Sequence, residues 1–174
     1  MVSKEDICRL LEARQIPFEI TEHPAVFTME GTHDLCLPYP EDLACNLFVR
    51  DDKKRFYGLV SLKGEGHLDL KTIRKEQGLR RLSLASPADL FSFFRLTPGS
   101  VTPFGLLNDT GHRVEFFLDR RFLEGPGRIG VHPNENTATV WLSAEDLLRL
   151  LEEQGATVHV AALPLVDKSP LQAL

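Results

Sequence analysis

Between Pro98 and Val140 the chain crowds into two short loops the residue types that hold a small ligand. The first loop reads Pro98-Gly99-Ser100-Val101-Thr102-Pro103-Phe104-Gly105, with Leu107-Asn108-Asp109 close behind. The second reads Gly130-Val131-His132-Pro133-Asn134-Glu135-Asn136-Thr137-Ala138-Thr139-Val140. Reversing a chain takes one Gly or one Pro. Here Gly99 and Pro103 bracket the hydroxyls of Ser100 and Thr102, with the ring of Phe104 behind. Such a loop can hold its backbone at a fixed surface against a small ligand, and binding groups are disproportionately carried on loops of this kind. Two ordinary turns in a β-rich domain are the alternative, and local chemistry leaves both readings open.

Other reactive constellations are missing. There is no GxSxG elbow, no GxxxxGK[ST] phosphate loop, no HExxH and no CxxC. The histidines are His23, His33, His67, His112, His132 and His159. His33, Cys36 and Cys45 could in principle converge on a metal, but nothing supplies a clear fourth ligand; neither a metal nor an organic cofactor is expected. Cys45 with His132 offers thiol chemistry, although a lone strand cysteine usually serves as a small apolar side chain.

The elements that must position these groups follow from periodicity. The chain has 174 residues, 43% of them hydrophobic, enough for one domain with its own core. Helices are expected from Ser3 to Gln15, from Leu70 to Gln77 before Gly78, from Ser86-Pro87 to about Arg95, and from Ser143 to Gly155. Strands are expected over Pro17–Glu22, Ala44–Val49, Arg55–Ser61, Arg81–Ala85, Val114–Leu118, Arg128–Val131, Thr137–Leu142 and Thr157–Val160. Val26–Asp34 reads as a short helix or a loop, and Leu35–Glu41 as a loop. The fold class is α+β, with a central mixed, mostly antiparallel sheet and flanking helices. The domain is expected to span residues 1–166, with a tail over 167–174.

Charge and cysteine usage narrow the class further. The net charge of −5 argues against a general nucleic-acid coat protein but leaves room for local basic faces. Those candidates are Lys53-Lys54-Arg55, Lys71 with Arg74 and Lys75, Arg80-Arg81 and Arg120-Arg121, each also readable as a solvated face. No run of about 18 apolar residues occurs, and Met1–Asp6 leads into an amphipathic helix rather than a signal peptide. Three cysteines without a CxxC pair fit a reducing, cytoplasmic setting.

Taken together, several segments carry a resemblance. They are Glu22-His23-Pro24-Ala25-Val26-Phe27-Thr28, Asn46-Leu47-Phe48-Val49-Arg50-Asp51, Tyr57-Gly58-Leu59-Val60, Leu68-Asp69-Leu70-Lys71 and Arg81–Pro87. The two loops above, Pro98–Asp109 and His132–Thr139, complete the set. Over roughly residues 3–162 the chain resembles the YbaK/prolyl-tRNA-synthetase editing-domain superfamily. Within it the chain is most similar to the freestanding prolyl-tRNA deacylases of the PrdX or ProXp-ala type.

The resemblance implies hydrolysis in trans of the ester on a mischarged tRNA, most often alanine on proline tRNA. A non-catalytic editing-fold module that binds aminoacyl-tRNA, a small amino acid or a synthetase is the alternative. It implies catalytic positions at Gly99, Ser100, Val101 and His132, and at Cys45, where the family pattern has a lysine. It places substrate-binding positions at Phe27, Thr28, Asn46, Thr102, Pro103, Phe104, Asn134, Asn136 and Thr137. Arg50, Lys63 and Lys71 are candidates to replace the missing cation. The implied partners are the aminoacylated 3′ end of tRNA and, beyond it, prolyl-tRNA synthetase or an elongation factor. A monomer or weak homodimer away from membranes is expected.

Overall fold

The computed structural model describes residues 1–166. The expected tail at 167–174 lies outside them. Helix α1 (Lys4–Ala13) begins where Ser3 and Asp6 form a reciprocal capping box, and it buries Ile7 and Leu11 on one face. Helix α2 (Leu70–Glu76) is capped by Asp69 and followed by Gly78 at φ +64. Ser86 and Asp89 form a second capping box on α3 (Pro87–Phe94), with Pro87 in its first turn and Arg95 left-handed at its end. Ser143 caps α4 (Ala144–Glu153). The Ser and Ser-Pro start signals read from sequence all fall on real helix ends.

Among the described residues eight strands form two sheets. In one, β1 (Phe18–Glu22), β7 (Ala138–Ser143) and β6 (Arg128–Val131) lie antiparallel in the order β1-β7-β6. In the other, β4 (Leu82–Leu84), β2 (Ala44–Asp51), β3 (Tyr57–Lys63), β5 (Val114–Asp119) and β8 (Thr157–Ala161) run in the order β4-β2-β3-β5-β8. Among the strand pairs of the described residues, β3–β5 and β5–β8 are parallel and the others antiparallel, so the architecture is mixed and mostly antiparallel. A bridge from Leu43 to Gly130 joins the two sheets at the start of β2. The core between sheets and helices is filled by Leu59, Phe94, Phe104, Phe116, Phe122, Ile129 and Leu147, all fully buried.

Three local features depart from the expected elements. Strand β2 runs on to Asp51 and β3 starts only at Tyr57, because Asp51 Oδ1 accepts the Arg55 N–H and widens the hairpin turn. The ambiguous 26–34 segment is extended first and then forms a 3₁₀ turn over Glu30–Asp34. Pro103–Asn108 winds into a 3₁₀ turn that packs inward.

Gly130 faces Trp141 across β6–β7, and a Cβ there would run into the indole ring. Trp141 is itself fixed by donating its indole N–H to Thr21 Oγ1 at 3.0 Å. Gly130→Ala is therefore expected to destabilise the domain by about 2 kcal/mol through overpacking, read as a lower urea midpoint with an unchanged slope.

Candidate active site

A cavity of about 250 Å³ opens where the two sheets meet. Its walls come from four places. The 23–37 segment supplies His23, Phe27, Thr28 and Met29, the start of β2 supplies Cys45 and Asn46, the 98–102 loop supplies Gly99 and Val101, and the 131–139 region supplies His132 and Thr139. Of the fourteen residues expected at the site, it brings together seven: Phe27, Thr28, Cys45, Asn46, Gly99, Val101 and His132.

The other seven lie outside the lining. Ser100 is buried, and its N–H donates to Thr97 O at 3.1 Å, closing the turn. Thr102 is fully buried and donates its hydroxyl to His132 O at 2.5 Å, tying the two loops together. Pro103 and Phe104 are core residues. Asn134, left-handed at φ +61, donates to Val2 O at 2.9 Å, and the Val2 N–H donates to Asn108 Oδ1 at 2.8 Å. Asn136 donates to Val26 O at 3.0 Å and so pins the 24–29 wall. Thr137 is exposed and donates to Glu135.

His23 and Thr139 line the cavity without having been picked out individually. His23 Nδ1 meets Pro24 O and its Nε2 meets Thr139 Oγ1, each at 2.9 Å. Its ring lies 6.0 Å from that of His132. The His-Pro pair inside the 22–28 motif was the available signal. Thr139 reaches His23 only through the β1–β7 pairing.

The electrostatics of the cavity are set by neutral groups. Among the described residues its lining holds no Asp, Glu, Lys or Arg. The candidate replacement cations lie elsewhere. Lys63 pairs with Asp42 at 3.3 Å, Arg50 sits 3.5 Å from Asp89, and Lys71 lies on α2. Burial pushes the Cys45 thiol pKa up, and the charge of Glu30 pushes it the same way, so the side chain stays a neutral thiol at neutral pH. A neutral thiol is a weaker nucleophile than a thiolate. Burial also lowers the pKa of His132. Its Nδ1–H donates to Ala138 O at 2.9 Å, which leaves Nε2 carrying the lone pair.

Two further groups are poised. Ser61 donates to Asn46 Oδ1 at 2.5 Å, which leaves the Asn46 amide hydrogens for the cavity. Among the described residues no acceptor meets the N–H of Gly99 or Val101. The site therefore offers backbone and amide donors plus one imidazole acceptor, and no charged nucleophile. That arrangement suits an ester that is already activated. No group of three His, Cys, Asp or Glu among the described residues is arranged to hold a metal ion. No described helix is long and apolar enough to cross a membrane.

Residues 23–150 match the aminoacyl-tRNA editing domain, and the chain belongs to that family. It is 37% identical over 163 residues to the prolyl-tRNA editing protein ProX of Acetoanaerobium sticklandii, covering 94% of this chain and 99% of that protein. It is also 35% identical over 152 residues to prolyl-tRNA synthetase associated domain-containing protein 1 of Bos taurus, covering 83% and 86% of the two chains. In fold it is similar to a crystal structure described as a candidate trans-editing enzyme for prolyl-tRNA synthetase. The TM-score is 0.68 at 22% identity, over 95% of this chain and 99% of that one.

Proposed function

We propose that this protein is an aminoacyl-tRNA deacylase acting in trans, and that its substrate is alanyl-tRNA(Pro). The observation that carries this reading is the pair of N–H groups at Gly99 and Val101, which no acceptor meets among the described residues, in a loop that lines an uncharged cavity beside His132. The ester carbonyl oxygen sits at these two donors, which stabilise the charge that develops as water attacks. Ser100 contributes no N–H there, because its own is committed to Thr97. His132 Nε2 accepts a hydrogen bond from the water, and the neighbouring ribose hydroxyl of the tRNA assists it. Positioning supplies the remainder, since an aminoacyl ester needs no strong nucleophile. Val26, Met29 and Val101 crowd the side-chain end and favour a small amino acid, although a wall discriminates weakly against one extra methylene.

The test is a deacylation time course on alanyl-, seryl-, cysteinyl- and prolyl-tRNA(Pro). Rapid loss of alanine with proline spared is expected. No release from any of the four would remove the hydrolase reading. Cys45, a neutral thiol where the family pattern has a lysine, favours a second reading as a non-catalytic binding module. If wild type is silent and Cys45→Lys releases alanine, that reading holds.

The lowered pKa of His132 has consequences on both sides of folding. The imidazole stays neutral below the ordinary value of 6.5, so deacylation at saturating substrate is expected to hold its rate from about pH 8 to below 6.5. In the unfolded chain the same ring takes up a proton as pH falls through 6.5, while the folded form resists it. Stability from this group is thus full above 6.5 and falls on acidification, and His132→Gln flattens that fall. A wild-type rate that declines in step with a free imidazole would contradict the assignment.

A further inference from the structure

A second cavity, of about 430 Å³, opens beside the first and shares Met29, Cys45 and Leu47 with it. Its remaining walls include Leu68, Leu70 and Leu84, with the carboxylates of Glu30 and Glu65 among them. The His33 ring meets the Glu65 carboxylate in a hydrogen bond, tying the 30–34 turn to the 64–67 loop across this region. Leu84 lies on the short edge strand β4 and is 60% exposed.

We infer that this second cavity seats the terminal adenosine of the aminoacylated tRNA, with the 5′-phosphates leaving along α2. The inference rests on the aminoacyl-tRNA reading above and adds the place of the nucleotide. Four observations support it. First, the substrate has two halves joined at one ester, and the two cavities meet at Cys45. Second, ligand sites usually occupy about 300–1,000 Å³, so a first cavity of 250 Å³ is too small for both halves.

Third, the chemistry matches a purine. Its faces are apolar, as are Leu47, Leu70 and Leu84, and its exocyclic amine is a donor that a carboxylate of Glu30 or Glu65 accepts. Fourth, phosphates find no cation in the first cavity and meet carboxylates in the second, so they must leave both. Helix α2 starts at the wall residue Leu70 and carries Lys71, Arg74 and Lys75. None of these three is in an ion pair among the described residues.

The experiment is an NMR titration of the full chain with 3′-alanylamino-3′-deoxyadenosine, in which an amide replaces the ester. Alaninamide is the control. The adenosine compound is expected to shift the amides of Gly66 and Leu84 together with those of Gly99 and Val101. Alaninamide leaves Gly66 and Leu84 unmoved. Leu84→Glu places an unpaired charge against the base and is expected to weaken the adenosine compound about tenfold. Because Leu84 is exposed, the fold tolerates the change. In deacylation the same variant raises KM by a larger factor than it lowers kcat. Lys71→Glu combined with Lys75→Glu flattens the salt dependence of tRNA binding but not that of the adenosine compound.

Gly66 and Leu84 amides that stay still at millimolar adenosine compound, or wild-type affinity in Leu84→Glu, would overturn the inference. The two readings fail separately. Binding in both cavities without release from any tRNA removes the deacylase and keeps the seat. Deacylation with Gly66 and Leu84 undisturbed does the reverse.

Discussion

Gly99→Ala is expected to lower kcat for alanyl-tRNA(Pro) by about a hundredfold or more, the usual consequence of losing one preorganised donor. Gly99 stands at φ +89, where an L side chain is strained. A Cβ there would also sit 2.8 Å from Phe27 Cδ1 and 3.5 Å from the Phe27 backbone. Either Phe27 or the loop must move, and loop movement carries the Gly99 and Val101 N–H groups away from the place the proposed function gives the ester carbonyl oxygen. Gly78→Ala is the control. It carries the same class of backbone strain at φ +64, with nothing within 4 Å of the added atom. Both variants are expected to lose about 1–2 kcal/mol of stability, but only Gly99→Ala loses turnover. Equal kcat in the two would show that the 98–102 loop does not hold the reacting carbonyl.

The largest effect on stability is expected from Asp42→Asn. Asp42 is 1% exposed and sits between Lys63 at 3.3 Å and Arg128 at 3.2 Å. Arg128 also lies 3.6 Å over the ring of Tyr39. Removing the carboxylate charge leaves two cations facing each other with their countercharge gone. Breaking a buried pair commonly costs about 3–5 kcal/mol, and the lower end applies because both cations are partly exposed. About 3 kcal/mol corresponds to a fall of roughly 6–12 °C in Tm for a chain of this size. A melting temperature within a degree or two of wild type would refute the assignment. The same triad holds the 39–43 stretch against the sheet, and Leu35, Leu37 and Leu43 of that region wall the cavity. A weaker amino-acid selectivity is therefore expected to accompany the lower Tm.

Helix starts were readable in the sequence because a capping serine acts within four residues. Ser3, Ser86 and Ser143 each satisfy donors of their own first turn, so no distant partner needs to be known. The division of strands between two sheets was not readable. It depends on the parallel pairings of β3 with β5 and of β5 with β8, which long connections bring together. At the site the loops were identified, but the direction of each side chain was not. Asn, Thr and Ser in tight loops bind either a ligand or their own backbone, and the residue type is the same in both cases. Thr102 and Asn136 turn back to His132 and Val26, whereas Asn46 lines the cavity. His23 and Thr139, 116 positions apart, meet because Thr21 and Thr139 are partners in the β1–β7 ladder.

The anchoring of Val2 bears on how the protein should be handled at the bench. Its N–H and C=O are both engaged, by Asn108 and by Asn134 two residues beyond His132. A purification handle or fluorophore fused directly ahead of it would pull on the very loop whose imidazole is being assayed. Measurements on such a fusion would mix the handle's strain with the protein's own behaviour, so the handle should be removable and the assay repeated after its cleavage.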